Sequence, residues 1–167
     1  IQNVNETVDP VRDLEIIETE MMLADLESIQ KRLEKNNKKN VDDDQLKILE
    51  MALDCINNDK DLSILQKDFD KKQLNQSGLL SLKPKIFVCN VDEQSIQKGN
   101  NYTESFINKF GQSNTLIVSA DIENQINALE SGERKNYMEM IGLKETGLNM
   151  LIREGYKILE LDTYFTS

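Results

Sequence analysis

The stretch Lys83-Pro84-Lys85-Ile86-Phe87-Val88-Cys89-Asn90-Val91-Asp92-Glu93 decides the reading of this chain. An unbroken apolar run, Ile86 to Cys89, follows a Lys-Pro-Lys breaker and ends on an asparagine, with two carboxylates close behind. A short apolar run bounded by turn signals suits a buried strand. A second run, Thr115-Leu116-Ile117-Val118, ends on Ser119-Ala120. Residues 102–110, between the two, carry a helical period. Strand, helix and strand at this spacing predict a parallel βαβ unit, whose ligands belong at the carboxyl ends of the strands.

Downstream, helical patterns cover residues 121–129, 132–141 and 147–159. Upstream the period is helical almost throughout. Asp9-Pro10 reads as a helix start with Pro in the first turn, and residues 11–39 carry Leu14, Ile17 and Met21, then Met22, Leu26, Ile29 and Leu33, at three- and four-residue steps. Asp42-Asp43-Asp44 marks a new helix N-terminus, after which Leu46, Leu49, Leu53 and Ile56 continue the period. Two amphipathic helices joined by a short polar turn predict an antiparallel hairpin with coiled-coil-like packing. Met21, Met22 and Met51 are expected in its core. A shorter helix is expected over residues 69–80, weakened at its end by Gly78. The expected class is α/β with parallel strands, carrying an inserted helical arm.

Charge narrows the function classes. Among 167 residues there are 20 Lys and Arg against 30 Asp and Glu, a net charge of -10. Direct DNA binding is not expected, because a broad phosphate footprint needs clustered cations. Lys31-Arg32, Lys35 and Lys38-Lys39 form a local basic cluster that reads first as a solvated helix end. Histidine is absent, which excludes His-based acid-base chemistry and Ser-His triads. Cys55 and Cys89 sit in no CxxC pair and read as reduced structural thiols, which suits a cytoplasmic setting. No stretch approaches the roughly 18 apolar residues of a membrane span. The chain opens on Ile1 and reads as a piece of something larger.

The chemistry gathers at the two strand ends. An amide at Asn90 can bridge backbone groups and hold neighbouring loops in register, and a carboxylate two or three residues on can accept from base N–H groups. The backbone N–H of Ala120 can point at a purine oxygen or ring nitrogen. The competing reading is an ordinary acidic turn after a strand, since a four-residue N-x-x-E match is weak alone.

The wider sequence resembles the YchF-type Obg-like ATPases. Val8-Asp9-Pro10-Val11-Arg12-Asp13-Leu14-Glu15, Glu20 and Leu23-Ala24-Asp25-Leu26-Glu27 look like the lead into that family's helical arm. Leu82-Lys83-Pro84, Asn90-Val91-Asp92-Glu93, and Ser119-Ala120 with Glu123 resemble its altered base-recognition motif and next nucleotide loop. Glu133-Arg134, Gly142-Leu143, Thr146-Gly147-Leu148-Asn149, Ile152-Arg153, Gly155-Tyr156-Lys157 and Asp162-Thr163-Tyr164-Phe165-Thr166 continue the match to the end.

The resemblance implies a remnant of a P-loop nucleotide domain over residues 1–15, a coiled-coil arm over 16–66, the latter part of the nucleotide domain over 67–158, and the start of a TGS domain over 159–167. It implies a ribosome-associated parent protein that binds ATP, and GTP more weakly, with magnesium. The base-binding residues it implies are Asn90, Val91, Asp92, Glu93, Ser119 and Ala120. The G-x-x-x-x-G-K-[ST] loop and the D-x-x-G segment are not among these residues, so the chain alone is expected to hydrolyse nothing. Ordinary GTPases read guanine with N-K-x-D; here Val91 stands for the Lys and Glu93 for the Asp. Asp92 adds a carboxylate able to accept from an exocyclic amine of either base, so guanine discrimination should be weakened rather than reversed. Asn3 stands where relatives carry a loop histidine, and a neutral amide is a poor proton acceptor. The alternative is a non-enzymatic module in which the helical hairpin engages a protein or ribosomal partner and the βαβ part anchors it.

Overall fold

The computed structural model describes residues 8–36 and 43–162. The sequence readings at Asn3, Lys38-Lys39 and Tyr164-Phe165 lie outside them. The described chain runs α1 (Pro10–Asn36), α2 (Asp43–Asn57), α3 (Lys71–Ser77), β1 (Phe87–Asn90), α4 (Asn101–Phe110), β2 (Thr115–Val118), α5 (Ala120–Ala128), α6 (Ser131–Met140) and α7 (Gly147–Ile158). Short 3-10 turns occupy Leu62–Lys67 and Glu93–Ser95. Two compact units result, one spanning residues 12–83, the other residues 84–162 with the stretch before Arg12.

In the first unit the core is built by Ile29 of α1, Ile48, Leu49, Ala52 and Cys55 of α2, Leu62 and Leu65 of the 3-10 turn, Leu74 of α3, and Leu79. Leu33, Met51, Leu53 and Ile56 pack against its margin. Pro10 opens α1, as the Asp-Pro signal predicts. Only the later half of α1 enters the core, however. Ile17 is 50% exposed and Met22 37%, while Leu14 and Met21 are partly buried, so the periodic stripe of its first half is only partly covered.

A carboxylate fastens α1 in place. Asp25, 2% exposed, accepts from the backbone N–H groups of Leu80 and Ser81 at 2.7 and 2.8 Å. Arg32 reaches the Ser77 carbonyl at the end of α3. The third helix is shorter than its sequence pattern, because Asp70 and Gln73 form a capping box before it and Gly78, at φ 72°, closes it.

In the second unit β1 and β2 pair in parallel, with Phe87 opposite Thr115 and Asn90 opposite Val118. The ladder continues through the Val91 N–H to the Val118 carbonyl at 2.8 Å. The connecting α4 begins at a capping box of Asn100 and Thr103. Its Phe106, 6% exposed, meets Phe87 edge-on at 5.4 Å between centroids. The strand is one-sided rather than buried on both faces: Val88 is 46% exposed while Phe87 and Cys89 are partly covered. The observed class is mostly helical with a small two-stranded parallel sheet.

Candidate functional site

The parallel register brings the carboxyl ends of β1 and β2 side by side. At this edge Asn90 Oδ1 accepts the backbone N–H of Ala120 at 2.9 Å, so one side chain ties the corner after β1 to the first turn of α5. Ala120 follows Ser119, the N-cap residue of that helix. The sequence reading left the Ala120 N–H open for a base; it is held by Asn90 instead.

Ser119 takes an unusual position. Its side chain is 1% exposed, it makes no capping hydrogen bond, and Oγ has no partner among the described residues. A buried hydroxyl without a partner is costly, and such orphans concentrate where a ligand or water supplies the missing bond.

The motif residues after Asn90 separate into different roles. Val91, 7% exposed, turns into the core while its N–H extends the ladder, so it does not belong to the open rim. Asp92 caps the 3-10 turn: Oδ1 accepts from the Ser95 N–H at 2.8 Å. That hydrogen bonding with Ser95 holds its carboxyl below the usual carboxylate range. Glu93 is exposed and lines an open cleft of about 520 Å³ with Ile96, Gln97, Ile122, Tyr137 and Ile141.

Two residues that sequence reasoning missed complete this rim. Gln125 Nε2 of α5 donates to Glu93 Oε1, and the Tyr137 hydroxyl of α6 donates to Gln125 Oε1. Neither carried a sequence signal, since polar residues on exposed helix faces are the commonest thing a helix shows. Glu123, by contrast, stands in the sequence pattern that carries the Ser119-Ala120 turn. Its Oε1 accepts the Gly147 N–H at 2.6 Å and fastens the start of α7 to α5. Gly147 lies so close to β2 that a Cβ there would fall 2.8 Å from Val118 Cγ1. Among the described residues no group of three or more His, Cys, Asp or Glu is placed to hold a metal ion, and no helix is long and apolar enough to cross a membrane.

No protein-family model matches the chain. Curated relatives do. The ribosome-binding ATPase YchF of Escherichia coli O157:H7 is 33% identical over 175 residues, covering 100% of this chain and 48% of the relative. The protein of the same name from Bacillus subtilis (strain 168) is 32% identical over 177 residues, with the same coverage. A solved YchF GTPase structure from Schizosaccharomyces pombe shares the fold, with a TM-score of 0.75 at 23% identity over 100% of this chain and 48% of that one. The chain therefore belongs to the YchF family, and it spans about half the length of the curated relatives it matches.

Proposed function

We propose that this chain supplies the base-recognition end of a nucleotide site in a YchF-type protein that binds and hydrolyses ATP, and GTP more weakly. The observation that carries the reading is the Asn90–Ala120 hydrogen bond, which sets the two strand-end corners against one another. Glu93 stands exposed beside that corner and Ser119 brings a buried hydroxyl without a partner. These are the features a purine edge needs: a carboxylate to accept from its N–H groups and small polar groups to meet its ring acceptors. Val91 acts from beneath, by fixing the ladder that aims Asn90, and Asp92 by shaping the turn that presents Glu93.

Phosphate chemistry lies with segments that are not among these residues. When bound, magnesium would neutralise phosphate charge; among the described residues no group of three or more His, Cys, Asp or Glu is placed to hold it. The domain reading follows the resemblance: a helical arm over residues 16–66, nucleotide-domain segments over 1–15 and 67–158, and the beginning of a TGS domain over 159–167. We place the parent protein in the cytoplasm, with the arm facing a ribosomal partner. Two of the arm's cations are already engaged, since Lys31 pairs with Glu27 at 3.2 Å and Arg32 binds the Ser77 carbonyl.

Competition of ATP and GTP for the full-length protein tests the nucleotide reading. Tighter ATP binding, with GTP measurable but weaker, is expected; a strong preference for GTP would overturn it. Charge reversal at Lys31 and Lys35 should reduce co-sedimentation with ribosomes, and unchanged co-sedimentation would remove the arm from that role.

A further inference from the structure

We infer that Gln125 is a specificity-determining residue that disfavours guanine, held in its working orientation by Tyr137 as a positioning residue. The inference rests on the reading of Glu93 as the group that receives the base edge.

The polarity of the Tyr137–Gln125–Glu93 chain is forced. An ionised carboxylate only accepts, so the Gln125 amide must present Nε2 to Glu93. Its Oε1, which only accepts, is then left for Tyr137, whose hydroxyl must donate. The Glu93 carboxylate excludes the flipped amide, whose oxygen would face it, and the Tyr137 hydroxyl then holds Oε1 in place by donating to it. The three groups come from three separate elements, the turn at Glu93–Ser95, α5 and α6.

The consequence lies in oxygen count. Guanine offers two neighbouring donors, N1–H and N2–H, and a carboxylate reads them with both oxygens at once. Adenine offers its exocyclic N6–H and, beside it, an N1 acceptor. Oε1 of Glu93 already accepts from Gln125 Nε2, so a base that uses both carboxylate oxygens must share Oε1 with the amide, whereas Oε2 carries no such bond. That arrangement serves a single N6–H donor fully. Guanine must either displace the amide or share Oε1 with it, and a shared or lost hydrogen bond weakens binding relative to adenine.

The test uses the full-length protein, with unlabelled ATP and GTP competing against a ribose-labelled fluorescent ADP. Gln125→Ala should lower the ratio of the GTP to the ATP dissociation constant by about tenfold, one hydrogen bond's worth, through a gain in GTP affinity. Tyr137→Phe should move the ratio the same way by about threefold, since only the orienting bond is lost. Glu93→Ala supplies the control. If Glu93→Ala weakens ATP binding while Gln125→Ala leaves the ratio unchanged, the role of Gln125 is overturned and the base site stands. If Glu93→Ala leaves ATP binding unaltered, the base-site reading itself falls.

Discussion

Asn90 Oδ1 and the Ala120 backbone N–H meet at 2.9 Å, joining the end of one parallel strand to the helix that follows its neighbour. Asn90 is itself exposed, so water can replace it as a partner of that N–H. Asn90→Ala should therefore cost less than about 1 kcal/mol of stability. In the full-length protein the same change should weaken nucleotide binding at least tenfold by freeing the corner. Asn90→Asp keeps an acceptor for Ala120 and should hold the corner's conformation. Denaturant midpoints and equilibrium binding separate the two effects, and a large stability loss in Asn90→Ala would contradict the assignment.

Ser119 presents the opposite case. Its hydroxyl is buried without a partner, so Ser119→Ala removes a polar group that gains nothing in the free protein. Stability should stay within about 0.5 kcal/mol of the parent chain or rise. Nucleotide affinity should fall, because the orphan hydroxyl is the group a ligand would complete. Calorimetric melting with and without nucleotide reads both quantities.

Asp92 acts as a cap. Its carboxyl is held low by hydrogen bonding with Ser95, so the folded form ionises more readily than the unfolded one. The sign is fixed by that direction: the contribution is complete above the ordinary aspartate value and is lost as pH falls through the lower folded value. Across neutral pH it should be flat. Asp92→Asn, an equally good cap, should leave the ATP-to-GTP ratio unchanged, whereas Asp92→Ala should loosen the turn and weaken binding of both nucleotides. A changed ratio in Asp92→Asn would instead make Asp92 a direct reader of the base.

Asp25 carries the anchoring of α1. At 2% exposure it satisfies two backbone N–H groups, those of Leu80 and Ser81. Asp25→Ala strands both donors and should destabilise the chain by about 3 kcal/mol, with Asp25→Asn losing roughly half of that. Urea titration of the purified chain measures it. Near-equal midpoints for all three would show that the 80–81 segment finds other partners.

Cys89 should react slowly with alkylating agents. Burial pushes its thiol pKa up, so at any pH near neutrality less of it is thiolate than in a free cysteine. Its alkylation rate should keep rising past the pH at which a free thiol levels off. Cys55, buried in the core of the first unit, should react only on unfolding. Mass spectrometry of the time course resolves the two sites.

The elements of the second unit were legible because their signals are local. The apolar run after Lys-Pro-Lys predicts a strand over residues 86–89, and the observed one is Phe87–Asn90, displaced by one residue because the ladder begins at the Phe87 N–H to Asn114 carbonyl bond. The second strand falls on Thr115–Val118 as read. In the first unit the period of α1 gave a helix but not its burial. An apolar stripe shows which residues share a face, and only packing shows whether anything covers them; Ile17 and Met22 stay exposed.

Spacing and side-chain chemistry alone determined that this chain holds a βαβ unit with polar residues at both strand ends, because strand runs, helix periods and turn residues act over a few neighbours. Tertiary structure alone decided which polar groups meet. Gln125 reaches Glu93 and Tyr137 reaches Gln125 from helices beyond the second strand, Asn90 takes the Ala120 N–H, and Val91 turns inward. Such pairings depend on register and crossover geometry, which place groups distant in sequence within a bond length of one another, and no local pattern encodes that distance.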